Sequence, residues 1–336
     1  MSKARKKQIP ASEAPASEFP SASALASLMD LMKQDSPKSE LARTAWPIVV
    51  KAAMNSDFVV VADYALENGL IKALADTPAA RRDPSDAASF VWVNPVDGLH
   101  MVWIPPGEFY VGGKQELATL GGFSLARFPV TNAQFLKFVR SVSYAPEAAH
   151  VNGESYLLHW TNREPPKSLE LHPVTQVSYI DALNYCRWAN LTLPTEWMWE
   201  KAARGPDGRR YPWGDDSPVR KTKPLAHIMK PGTCAIGKFS SVRSPYGCED
   251  MIGNVSEWCQ SGEGVAWDFM PPTIPEVPDI VASADVLGYV RGSCFFRSDP
   301  GRMTAFHRRR LSLARCNQWC GFRPALPLPY RPAIDE

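Results

Sequence analysis

Short apolar alternations, rather than long helical stripes, organise the chain. Val91 and Val93, then Met101, Trp103 and Ile104, flank the turn-forming run Asn94-Pro95-Val96-Asp97-Gly98 and predict two short strands. Pro105-Pro106-Gly107 ends the second strand. Three short helices are predicted next. Thr131 offers a capping hydroxyl ahead of Phe135, Phe138 and Val139 on one face. Ser178, with Asp181 three residues on, precedes the stripe Tyr179, Ala182, Leu183 and Cys186. Thr195 precedes Trp199, Ala202 and Ala203; Met198 occupies the position from which an acidic residue would complete a reciprocal cap. Beyond Gly205 helical periodicity ends, and glycine, proline and aromatic residues punctuate the remainder.

The N-terminal quarter reads differently. Residues 1–37 are rich in Ala, Ser and Pro and are expected to form a disordered tail. Residues 38–78 are expected to form a small helical extension. Ser56 and Asp57 cap a helix carrying Phe58, Val61, Tyr64 and Ala65 that stops at Gly69, and a second helical piece is expected around Ile71 to Ala75. Residues 79–89, with Pro84 and two arginines, read as a linker, 90–328 as the main domain and 329–336 as a C-terminal tail.

Composition narrows the class. Of 336 residues, 45% are apolar, enough for a sizeable core, and a net charge of +2 supplies no global field toward nucleic acid or membrane. The 31 prolines and 11 tryptophans suit a loop-rich fold. No run approaches the roughly 20 apolar residues of a membrane span. Lys3, Arg5, Lys6 and Lys7 are not followed by an apolar run, so no secretory signal is expected and a cytoplasmic location is. The seven cysteines are then expected as thiols.

Charge is uneven along the chain. Arg291, Arg297, Arg302, Arg308, Arg309, Arg310, Arg315 and Arg323 fall within 291–323, where Asp299 is the only acid, so this segment carries +7 and the remainder −5. Concentrated guanidinium groups attract carboxylates, sulfates or phosphates.

Several ordered stretches carry a resemblance. They are Met101-Val102-Trp103-Ile104-Pro105-Pro106-Gly107-Glu108-Phe109, Phe128-Pro129-Val130-Thr131-Asn132-Ala133-Gln134-Phe135, His172-Pro173-Val174 and Leu193-Pro194-Thr195-Glu196. Ala202-Ala203-Arg204-Gly205, Tyr211-Pro212-Trp213-Gly214, Asp250-Met251-Ile252-Gly253-Asn254-Val255-Ser256-Glu257-Trp258, Arg291-Gly292 and Gly321-Phe322-Arg323 follow. Together they resemble the formylglycine-generating enzyme family, the sulfatase-modifying-factor domain. The resemblance implies an α+β fold, a variant of the C-type lectin fold with little regular structure. Trp199, Tyr211, Trp213 and Trp258 are expected as core aromatics, and Glu196 and Arg204 as a buried ion pair.

The resemblance also implies metal chemistry. It places calcium on the side chains of Asp250 and Glu257 and the carbonyls of Gly253 and Val255, an oxygen set of the kind calcium accepts. A second calcium site is not expected, because His227 stands where an Asn would be. The enzymes of the family use copper(I) on two cysteines spaced five apart to oxidise a cysteine of a target peptide. Here Arg297 and Arg302 take those positions, and copper is not expected. Cys294, Cys316 and Cys320 are the remaining candidates for a relocated thiolate site. The iron-binding relatives use histidines on a partner helical domain, and this chain has no histidine before His100.

Three functions are compatible with these features. A non-catalytic module would bind a protein, peptide or anionic ligand through Arg297, Arg302, His307, Arg308, Arg309, Arg310, Arg315, Asn317 and Trp319; one version is a retroelement-diversified variable protein. Nucleic acid is a further anion, not favoured. Replacing Arg308, Arg309 and Arg310 by Ala is expected to weaken partner capture and leave the fold and its melting temperature almost unchanged. The alternative is an oxygen-dependent oxidase using the relocated cysteines. A third reading is an assembly protein in which residues 39–76 dock a partner.

Overall fold

The computed structural model describes residues 71–73, 90–94, 96–146, 156–220, 224–260 and 287–327. The expected tail 1–37, the helix ending at Gly69, the linker 79–89 and the tail 329–336 lie outside the described residues.

The fold is mixed α and β with small sheets. Strands β1 (Ile71–Ala73), β2 (Phe90–Val93), β3 (His100–Ile104), β6 (Phe123–Ala126) and β11 (Ala325–Pro327) form an antiparallel five-stranded sheet in that order. β2 and β3 are the two strands expected around Asn94–Gly98. Asp97 builds the turn, its Oδ1 accepting from the Leu99 amide at 2.9 Å. Pro105 and Pro106 end β3, and the chain turns into a separate hairpin, β4 (Gly107–Val111) with β5 (Glu116–Leu120). The expectation of a helix over Ile71 to Ala75 is corrected. Residues 71–73 are a strand in register Ile71↔Trp92 and Ala73↔Phe90. The backbone donors and acceptors along β2 offer ladder partners that local helical propensity cannot match.

The three helices are α1 (Asn132–Ser141), α2 (Tyr179–Trp188) and α3 (Glu196–Arg204). Each starts at its expected cap. Thr131 and Ser178 make reciprocal caps with Gln134 and Asp181, whereas the Thr195 hydroxyl accepts from the Met198 amide with nothing returned. Gly205 ends α3 at φ 72°, where a Cβ would come within 2.8 Å of the Pro245 ring. Among the described residues after Gly205, helical structure is limited to single 3₁₀ turns at Ser240–Val242 and Pro300–Arg302.

A second, four-stranded sheet carries the arginine-rich segment. Its order is β10 (Cys320–Gly321), β7 (Ser256–Cys259), β8 (Leu287–Arg291) and β9 (Arg308–Ser312); β10 and β7 run parallel and the other pairs antiparallel. The core joins both sheets to α3. Val102, Ile104, Phe123 and Leu125 meet Trp199, Ala202 and Ala203, with Met251, Ile252 and Met303 from loops. Beside it, Phe135 of α1 stacks on Tyr185 of α2 at 5.8 Å, and Phe322 meets both rings edge-on. Trp199, Tyr211 and Trp258 are buried as expected; Trp213 is half-buried and stacks on Tyr211 at 5.6 Å.

Candidate functional site

The arginines of 291–323 divide according to what they touch. Arg291 and Arg323 belong to the interior. Arg323 pairs with Glu257 at 2.6 Å, both fully buried. Arg291 pairs with Glu200 and, at 3.5 Å, with Glu196, and it lies over the Trp199 ring. Glu200 also holds Arg204 at 2.7 Å and accepts from the Gly112 amide at 2.7 Å, so one carboxylate ties α3, β8 and the β4–β5 hairpin together. The expected Glu196–Arg204 pair is therefore corrected. Both are buried in ion pairs, but Arg204 takes Glu200 one turn earlier, and Glu196 faces Arg291 and Arg308 across the fold.

Three arginines lie at the surface with a polar partner. Arg308 reaches from the exposed β9 to the buried Glu196 at 3.3 Å. Arg310 donates from Nε and Nη2 to the Tyr289 hydroxyl at 3.0 and 2.9 Å. Strand register explains the arrangement: Tyr289 faces Arg310 and Arg291 faces Arg308, so both side chains fall on one side of the sheet, where both guanidinium groups lie over the Tyr289 ring. Arg302 meets Asp299 at 3.4 Å, both exposed.

Arg297, Arg309 and Arg315 have no carboxylate partner among the described residues. Arg309 alternates to the other side of β9 and lies 4.8 Å from the Trp319 ring centroid. Arg297 lies 5.1 Å from the Phe296 centroid, and Phe296 meets Trp319 edge-on at 6.3 Å. Phe296 was not among the expected site residues. Its signal is the pair Phe295-Phe296, of which Phe295 is 4% exposed and Phe296 42%. His307 is half-buried, and burial first, then Arg291, Arg297 and Arg302, lower its pKa, favouring the neutral ring. Asn317 is partly buried, its carbonyl accepting from the Gln176 amide at 3.0 Å, and its side-chain nitrogen has no hydrogen-bond partner.

The three candidate thiols are all buried. Burial pushes Cys316 up to about 12 and Cys320 well above the ordinary range; Cys294 is also raised by burial, with Arg297 pulling the other way. These are thiols rather than thiolates at neutral pH. Among the described residues, no three His, Cys, Asp or Glu side chains group so as to hold a metal ion.

The loop proposed for calcium has a specific geometry. Gly253 sits at φ 82° against the His227 backbone, where a Cβ would come within 2.7 Å of its carbonyl oxygen. Glu257 is already engaged: Oε2 accepts from Arg323 Nε at 2.6 Å and Trp199 Nε1 at 2.7 Å, and Oε1 accepts from Arg323 Nη2 at 2.8 Å. One acceptor position remains, on Oε1. Asp250 is buried and accepts from Asn254 Nδ2 at 3.3 Å, and burial pushes its carboxyl up to about 6. With Arg323 and Trp199 in place, Glu257 has a single oxygen position left to offer a cation.

A model of the sulfatase-modifying factor enzyme 1-like domain matches residues 91–327. The chain belongs to this family. The sulfatase-modifying factor domain here is 33% identical over 244 residues to the serine/threonine-protein kinase Pkn1 of Chlamydia trachomatis, covering 67% of this chain and 38% of the kinase. The chain thus spans well under half the length of that relative. It is 29% identical to the formylglycine-generating enzyme of Thermomonospora curvata, over 57% of this chain and 78% of that one. It is 32% identical to the inactive C-alpha-formylglycine-generating enzyme 2 of Bos taurus, over 48% and 71%. The solved structure of PvdO from Pseudomonas aeruginosa matches with a TM-score of 0.55 at 20% identity, over 71% of this chain and 98% of that one, which shows the shared fold. In this sulfatase-modifying factor domain, no helix among the described residues is long and apolar enough to cross a membrane.

Proposed function

We propose that this domain is a non-catalytic module that binds a partner through the arginine-rich face of 291–323. One observation carries the reading: Arg297, Arg309 and Arg315 have no carboxylate partner among the described residues, while the segment's other arginines are held by Glu, Asp or Tyr groups. Guanidinium groups left without an anion favour one supplied by a ligand. The chemistry at the position of the family's cysteine pair supports it. Arg297 and Arg302 stand there, a cation repels copper as well as failing to ligate it, and the nearby thiols are buried and neutral. A relative named as inactive is consistent with the same reading. Calcium at Asp250, Gly253, Val255 and Glu257 has a structural role here, and the cytoplasm is the proposed location.

A labelled oligoglutamate peptide, followed by fluorescence anisotropy against the full chain, tests the charge component. Affinity is expected to fall as salt rises, since exposed charges are screened beyond about 8 Å at physiological ionic strength. It is also expected to fall when Arg297, Arg309 and Arg315 are all replaced by Gln. Absence of binding at low salt overturns the reading.

A further inference from the structure

Two of the arginines without carboxylate partners are not isolated. Arg297 and Arg309 each rest against an aromatic ring, and the two rings touch. The order in space is Arg297, Phe296, Trp319, Arg309. The geometry points to this ladder as the recognition centre of the domain, and to an acidic polypeptide segment, with an apolar side chain between two carboxylates, as its occupant. The inference rests on the reading of 291–323 as a partner-binding face.

An exposed arginine gives up rotamer freedom when it binds, and a guanidinium already settled on a ring has lost part of that freedom beforehand. Arg297 and Arg309 are ordered in this way, whereas Arg315 is exposed with no ring contact among the described residues. A single exposed apolar residue is ordinary, but Phe296, 42% exposed, adjoins a half-buried Trp and lies between two cations. Trp and Arg are the residue types that dominate binding energy when a partner covers them. An apolar side chain would cover the exposed part of Phe296 while carboxylates on either side meet the two guanidinium groups.

The angle between the two rings favours polypeptide over nucleic acid. Sequence-tolerant single-strand binders stack successive bases on aromatic faces. Here the ring planes of Phe296 and Trp319 stand at 83°, and a guanidinium lies over each ring. That leaves no pair of parallel platforms for consecutive bases. Side chains of an extended peptide, which diverge from the backbone, suit perpendicular rings better.

The test uses the full chain and fluorescence anisotropy with three labelled probes: a peptide of alternating Glu and Leu, an oligoglutamate of equal charge, and an oligothymidylate of matched length. The Glu–Leu peptide is expected to bind more tightly than oligoglutamate. Phe296→Ala and Arg309→Gln, both surface changes, are each expected to weaken it at least about tenfold with the melting temperature unchanged. Stronger binding of oligothymidylate than of the Glu–Leu peptide overturns the polypeptide assignment. Equal affinity for the two peptides, or full affinity in both variants, overturns the ladder. If affinity instead follows Arg315→Gln, the ladder fails while the anion-binding face stands; if no anionic probe binds, both fail.

Discussion

Arg323 and Glu257, 66 residues apart, form a bidentate pair in the interior: Nε donates to Oε2 at 2.6 Å and Nη2 to Oε1 at 2.8 Å. The remaining three N–H groups of the guanidinium donate to the carbonyls of Ala126, Arg127 and Glu249 at 3.0, 2.9 and 2.8 Å. All five donors are therefore used, and the first sheet is tied to the second through one side chain. Removing one partner leaves an uncompensated buried charge, which costs about 3–5 kcal/mol. Arg323→Met and Glu257→Gln are each expected to lower unfolding free energy by that amount in urea titrations. A loss under about 1 kcal/mol, the size of a surface pair, would contradict the assignment.

Asp97 makes stability depend on pH. Its carboxyl is buried under the β2–β3 turn and accepts from the Leu99 amide and the Tyr185 hydroxyl. Burial outweighs these bonds and pushes its pKa from 3.8 up to about 6. The folded state thus holds the proton more tightly than the unfolded chain. Its contribution to stability is fully present below about 3.8 and is lost as pH rises through about 6, by roughly 2–3 kcal/mol. Asp97→Asn should remove that component. Melting temperatures at pH 5 and 7 check it: the wild type is expected to lose more on going to pH 7 than the variant, and parallel losses would contradict it.

Arg308 and Arg309 are neighbours with different duties, so replacing the first is expected to cost stability and replacing the second is not. Arg308 neutralises the buried Glu196, and Arg310 holds the Tyr289 hydroxyl. Arg308→Ala is expected to destabilise by about 1 kcal/mol, discounted because its side chain is half exposed. Arg309→Ala should stay within about 0.5 kcal/mol. Chemical denaturation of the two single variants distinguishes them; equal effects would contradict the division.

What the sequence made legible is local. The caps at Thr131, Ser178 and Thr195 act within one helical turn, and the β2–β3 hairpin is closed by its own turn residues, so both can be read from short windows. The partner of Glu196 is not legible. Arg204, eight residues on, is the nearer arginine in sequence, but Arg291, 95 residues away, makes the pair, and only the packing of α3 against β8 brings it there. The strand at Ile71–Ala73 was hidden for the same reason, because its conformation is set by pairing with β2. In the candidate site, Arg297, Arg309 and Trp319 stood out by residue type. Phe296 did not, since adjacent phenylalanines do not reveal which one faces outward.

Calcium binding at Asp250, the Gly253 and Val255 carbonyls and Glu257 Oε1 should stabilise the native state alone. A ligand at 100 times its dissociation constant adds about 2.7 kcal/mol. EDTA is expected to lower the melting temperature, added calcium to restore it, and Asp250→Ala to abolish the response. Identical melts with EDTA and with calcium, and no calcium by elemental analysis, would remove the proposal.

The central claim is that the face built by 291–323 binds and does not oxidise. Incubating the copper(I)-loaded protein with a cysteine peptide in oxygen, then examining the peptide by mass spectrometry, tests it most directly. The account predicts an unmodified cysteine. Conversion of that cysteine to an aldehyde, dependent on copper and oxygen and abolished by Cys316→Ser or Cys320→Ser, would contradict it.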